Sequence, residues 1–214
     1  GREHFNLKVF EEKLAKRDEE VLTALENRSY TSISNINKPY SYTAAFGFET
    51  DDEIKLLNQI IVDGLINFED VFDIESLTFT PPAAELNEKL ETVLLKLGVK
   101  SIHKAFIDGE SLHFTGWKRK SGLINVVRNV VFEPTVKNNY YSVKQAIKQI
   151  ETAFRWNRPS IISSHRVNFC GYVDKRNRDT GLRALEDLLN EITERWPNVE
   201  FMSVYEFVNL LSNE

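Results

Sequence analysis

The chain has 214 residues, 42% of them hydrophobic, and a formal net charge of -5. That length suffices for one substantial core, and a single domain over residues 1–214 is the expectation. Lys and Arg are interspersed with Asp and Glu and form no basic stripe, which argues against nucleic acid as a partner and does not favour acidic substrates.

A lone cysteine, Cys170, excludes an internal disulfide and a Cys-rich metal cage. Beside Phe169 it reads as a packed small hydrophobe. The chain has no run of about 18 apolar residues, the length that a membrane span needs. It begins Gly1, Arg2, Glu3, His4, with no initiator Met and no signal-like apolar core, as a processed or cut chain would.

In chain order, Val9 to Leu25 reads as one charged amphipathic helix, and a polar segment closed by Pro39 follows. Tyr42 to Phe48 reads as a strand. Asp51 and Asp52 open an apolar helical face from Glu53. Their ordinary reading is complementation of a helix dipole and its free N–H groups, and the other reading is a metal-binding carboxylate pair. Ser76 to Thr80 is a short strand, Pro81 and Pro82 follow, and a helix over Ala84 to Leu97 is stopped by Gly98, a left-handed cap. With Val99 to Ile102 as the next strand, this is a βαβ pattern.

Lys104 to Gly122 reads as a polar loop with His113, Trp117 and a Lys118, Arg119, Lys120 cluster, either a solvated excursion or part of a substrate site. Leu123 to Pro134 reads as a strand bearing Arg128 and Glu133. Tyr141 to Phe154 is an amphipathic helix, and the apolar run from Pro159 ends at His165. Thr180 to Trp196 is a further helix, Val199 to Ser203 a last strand and Val204 to Leu211 a closing helix. Such alternation predicts a parallel sheet, open or closed. No Gly-rich phosphate fingerprint follows any strand, which disfavours a nucleotide-binding fold and favours a barrel-like one.

Ligands bind at the carboxyl ends of strands in α/β folds, so His165 is the leading catalytic candidate, against the alternative of a buried, hydrogen-bonded ring. Arg166 and Asn168 alternate with Val167 and Phe169, and either contact substrate hydroxyls or bridge to Asp174 and Asp179. Trp117 is the candidate sugar platform, while Trp156 and Trp196, at helix ends, read as packing residues.

Three segments resemble the polysaccharide deacetylase superfamily: Thr78 to Asn87 with its helix to Ile102, Ile161 to His165, and Glu200 to Leu210. The resemblance covers about residues 76–214. It implies a distorted or incomplete (β/α) barrel lacking its N-terminal part, and hydrolysis of acetyl groups on a sugar with one divalent metal, zinc or similar. By the same resemblance His165 is the catalytic acid, Pro81 belongs to a substrate-binding motif, and His4 is the second imidazole ligand of the metal, the first histidine and the aspartate pair that supplies the base and the metal carboxylate lying upstream of Gly1. Thr80 departs from the pattern, because an arginine is expected there and a threonine offers no charged fork. Arg128, held by Glu133, is the candidate replacement. The alternative function is a degenerate barrel that binds carbohydrate without catalysis, and exposed edges of an incomplete barrel predict a homodimer.

Overall fold

The computed structural model describes residues 7–26, 45–46, 51–84, 86–104, 107–108, 111–135, 142–172 and 174–212. Helices α1 (Leu7–Ala15), α2 (Glu19–Glu26) and α3 (Asp51–Phe72) come first, followed by strand β1 (Thr78–Phe79), helix α4 (Glu91–Lys96) and strand β2 (Ser101–Lys104). Strands β3 (Ile107–Asp108), β4 (Ser111–Leu112), β5 (Ile124–Val127) and β6 (Val130–Val131) precede helix α5 (Ser142–Arg155). Strand β7 (Ile162–Ser163) and helices α6 (Lys175–Arg195) and α7 (Val204–Ser212) complete the order. The class is mixed α/β with short parallel strands. The sheets are β1-β2-β5, β3-β4 and β6-β7, and among the described residues no barrel closes. No described helix is long and apolar enough to cross a membrane.

The chain forms two compact units, one of Gly1–Lys104, Gly116–Asn125 and Val204–Glu214, the other of Ala105–Thr115 and Val126–Ser203. In the first, β1 pairs parallel with β2, Thr78 opposite Ser101, as the βαβ pattern requires. The connecting helix is shorter than expected. Pro82–Ala84 form a 3-10 turn, Ala84 takes a left-handed φ of 57°, and the Asn87 side chain caps a second short turn by accepting from Lys89 N at 3.0 Å. The α-helix therefore starts only at Glu91, because prolines and a capping Asn favour turns over helix interior. It ends in a Schellman motif: Gly98 has φ 86°, and Val99 N donates back to Leu94 O at 3.1 Å.

The same closure splits the single helix expected over Val9 to Leu25. Arg17 adopts φ 53° and Asp18 N donates to Lys13 O at 2.9 Å, ending α1 before α2 begins. Leu57 and Ile61 of α3 pack with Leu90, Leu94, Val99, Ile102 and Leu123 in this unit's core. Of the strand expected over Tyr42 to Phe48, Ala45 and Phe46 are described; they form a buried turn against that core, and the other positions lie outside the described residues.

In the second unit, α5 turns Val143, Ala146, Ile147, Ile150 and Phe154 toward α6, whose Ala184, Leu185, Leu188 and Ile192 answer at helical spacing. Phe154 and Trp196 meet edge to face at 5.1 Å, so Trp196 packs as expected. The strand expected over Leu123 to Pro134 is broken at Arg128 and Asn129. The Asn129 amide donates to Pro159 O at 3.0 Å and its oxygen accepts from Ile161 N at 2.8 Å, replacing regular ladder bonds. The expected loop over Lys104 to Gly122 holds the antiparallel pair β3-β4. Residues 199–203 form no strand; Val199 N closes a turn onto Trp196 O at 2.9 Å. Helix α6 begins at Lys175, ahead of the expected Thr180, because Asp174 caps it by accepting from Arg176 N at 2.9 Å.

Candidate functional site

Strands β6 and β7 run parallel with Val130 opposite Ile162 and Val131 opposite Ser163, and Phe132 N donates to Ser163 O at 2.9 Å. Their carboxyl ends therefore deliver Glu133 and His165 side by side. The His165 Nδ1 lies 2.6 Å from Glu133 Oε1. The imidazole is 77% exposed and the carboxylate only 20%, so one ring nitrogen is engaged from below while the ring stays open to solvent. This excludes the alternative of a buried histidine.

His165 is the N-cap of a 3-10 turn, Arg166–Asn168, closed by Asn168 N donating to His165 O at 3.0 Å. A 3-10 turn has three residues per turn, so positions i and i+3 share a face. Asn168 consequently lies beneath His165 and is fully buried. Its Nδ2 donates to Glu133 Oε2 at 2.5 Å, to His165 O at 2.9 Å and to Ser164 Oγ at 3.2 Å. Its Oδ1 accepts from Thr135 N at 3.1 Å and from Thr135 Oγ1 at 2.6 Å. The three acceptors share the two N–H groups of Nδ2, and because the Thr135 backbone N–H can only donate and a carboxylate can only accept, the NH2 end faces Glu133. The expectation that Asn168 meets substrate is corrected. It positions Glu133 instead.

Helix α6 presses on the back of this turn. At Gly181, in the helix, a Cβ would fall 1.7 Å from the carbonyl oxygen of Asn168. Only glycine permits that approach, and strand-period reasoning about residues 165–169 gave no reason to look for it. A helix-interior glycine following a polar turn was the signal in the sequence.

The remaining candidates are dispersed. Arg128 is exposed in the gap between β5 and β6; it forms no ion pair among the described residues, and the Glu133 carboxylate is occupied by His165 and Asn168 rather than by Arg128. Arg166 is exposed on the 3-10 turn. Cys170 is exposed rather than packed. Trp117 and Pro81 belong to the other compact unit, where Trp117 is 53% exposed and Pro81 is buried at the end of β1. The neighbour of Trp117, Arg119, is not a solvated loop cation: its guanidinium meets the buried Glu91 carboxylate at 2.7 Å, and Ser121 Oγ donates to the same carboxylate at 2.5 Å. His4 lies outside the described residues.

Among the described residues no three His, Cys, Asp or Glu side chains converge as a metal-ion cage. The chain matches no family model and no curated protein.

What this arrangement does chemically follows from the hydrogen bonds. With Nδ1–H donating to Glu133, the neutral ring presents Nε2 as a base; in the imidazolium, Nε2 carries a proton that can be given away. The carboxylate sets the tautomer and balances the cation, and Asn168 keeps the carboxylate from turning.

Proposed function

We propose that His165 is the general acid of a hydrolase that removes acyl groups from a carbohydrate, in the manner of the polysaccharide deacetylases and on a distorted (β/α) barrel. The observation that carries this reading is the 2.6 Å contact between His165 and Glu133 at the carboxyl ends of a parallel strand pair, with Glu133 locked by the buried Asn168. As a tetrahedral centre collapses, imidazolium Nε2–H passes its proton to the departing amine or alkoxide oxygen, and Glu133 holds Nδ1 throughout. Positioned proton transfer of this kind contributes about 10²–10⁴-fold to rate. The divalent metal that the resemblance implies has no ligand set among the described residues, so the step assigned here uses His165 and Glu133 alone.

The second reading is carbohydrate binding without catalysis. It draws on Thr80, an exposed residue where an arginine fork is expected. Acetate release from acetylated chito-oligosaccharides, measured with and without added zinc, separates the two, with Glu133→Gln as the companion variant. Release that falls at least tenfold in Glu133→Gln, with the oligosaccharide still bound, supports the acid role. Binding without release by the wild-type chain under every condition supports the second reading.

A further inference from the structure

At the opposite ends of β6 and β7 from His165, the second unit presents an exposed tryptophan among arginines. Trp156 is 77% exposed, contrary to its reading as a packing residue. It is nevertheless firmly held. Asn157 takes φ 51°, Asn157 N donates to Phe154 O at 3.0 Å and Arg158 N to Ala153 O at 2.9 Å, which is a Schellman closure of α5. The next residue, Pro159, is tied through its carbonyl to Asn129, whose chain neighbour is Arg128. Chain adjacency and the Asn129–Pro159 bond thus place Arg155, Trp156, Arg158 and Arg128 at the same end of β6 and β7. Arg155 is paired with Glu151 at 2.6 Å, whereas neither Arg128 nor Arg158, both exposed, forms an ion pair among the described residues.

Leaving an indole in water forgoes the burial of a large apolar side chain. Here the turn that holds the indole out is fixed by backbone bonds on both sides of it. Flat indole faces pack against the C–H faces of pyranose rings, and guanidinium forks match carboxylate and sulfate oxygens in pairs. A net charge of -5 on the whole chain does not oppose this, because screening limits the reach of charge to about 8–10 Å and local pairing decides the field at the edge.

We propose that Trp156, Arg158 and Arg128 form a binding subsite for an anionic glycan, separate from the His165 end of the same strands. The choice of a glycan over other anions rests on the proposed carbohydrate function, and the subsite itself rests on the geometry of this edge. It would hold an acidic stretch of the polymer while acyl groups elsewhere on it are processed.

The test is titration of oligogalacturonate against the full chain, followed by tryptophan fluorescence and calorimetry, with neutral chitohexaose and phosphatidylserine vesicles as comparison probes. Saturable oligogalacturonate binding should weaken about tenfold or more in Trp156→Ala and in the double variant R128Q/R158Q, each tenfold being 1.4 kcal/mol. It should weaken with salt in the wild type and less so in the double variant. It should be unchanged in His165→Ala. No saturable binding, or equal affinity in all variants, overturns the subsite; Trp156-dependent binding to vesicles but not to oligogalacturonate replaces the glycan with a lipid surface. Absence of acetate release by the wild-type chain with oligogalacturonate binding intact counts against the His165 reading alone. Trp156 is exposed, so the alanine variant should fold, and circular dichroism checks it.

Discussion

Gly181→Ala is a substitution for which helix propensity and tertiary packing predict opposite signs. Alanine in a helix interior is favoured over glycine by about 1 kcal/mol. In this chain the added methyl would sit 1.7 Å from the Asn168 carbonyl oxygen and 2.7 Å from its carbon. Ordinary contact begins near 3.5 Å, so α6 and the 3-10 turn must part by roughly 1.8 Å. The obstacle is backbone and cannot rotate aside. Overpacking costs about 1–3 kcal/mol, and moving Asn168 also weakens buried hydrogen bonds at about 1 kcal/mol each. The net expectation is a loss of about 2–4 kcal/mol after the propensity gain, a fall in Tm of roughly 4–16 °C for a chain of this size. Urea unfolding followed by far-UV circular dichroism and tryptophan fluorescence measures it, with the m-value checked for constancy. Gly181→Ala as stable as the parent, or stabilised by the propensity gain, would refute the contact and with it the account of how the His165 turn is held.

Asn168→Ala removes the contacts of the amide to Glu133, Ser164, His165 and Thr135 and leaves the half-buried Glu133 and Thr135 groups without them; a stability loss of about 2–4 kcal/mol in urea unfolding is expected. Asn168→Asp should be at least as damaging at neutral pH, since it replaces the N–H donor that faces the Glu133 carboxylate with a second acceptor oxygen, and a neutral effect would contradict the assigned bond from Asn168 Nδ2 to Glu133. Glu91→Ala leaves the Arg119 guanidinium, 13% exposed, without its main partner, and should cost about 3 kcal/mol, whereas E91M/R119M together should cost much less. The side-chain hydrogen bond from Arg176 holds the Asp174 carboxyl below its usual value of 3.8, aided by the Arg176 backbone N–H. A depressed carboxyl contributes stability that is present above pH 3.8 and fades as the pH falls through the lower folded value. The Tm gap between wild type and Asp174→Ala should therefore be largest near neutrality and narrow below pH 3.8; a gap that widens in acid would contradict the assigned cap.

Much of the helical order was legible because its signals are local. The stripe from Val143 to Phe154, the acidic opening of α3 and the Gly98 cap each follow from a few neighbouring residues. His165 was legible as the residue after an apolar run in an α/β pattern. Its partner was not. Reading residues 165–169 with a period of two placed Asn168 on the rim and left Glu133 to Arg128, whereas the turn's period of three buries Asn168 under His165. The strand breaks at Arg128 and Asn129 depend on Asn129 finding Pro159 and Ile161, contacts distant in sequence. Arg17 ends α1 in a conformation that usually marks glycine, so nothing in its identity announced the break. The exposure of Trp156 could not be inferred from its place at a helix end, which it shares with the packed Trp196.

In the proposed function, His165, oriented by Glu133, supplies the proton in acyl hydrolysis. The most direct test is the rate of acetate release from an acetylated chito-oligosaccharide by wild type and His165→Ala, with substrate affinity measured on the same preparations. A loss of about 10²–10⁴-fold in turnover with affinity unchanged is expected. Equal turnover in the two proteins would contradict it.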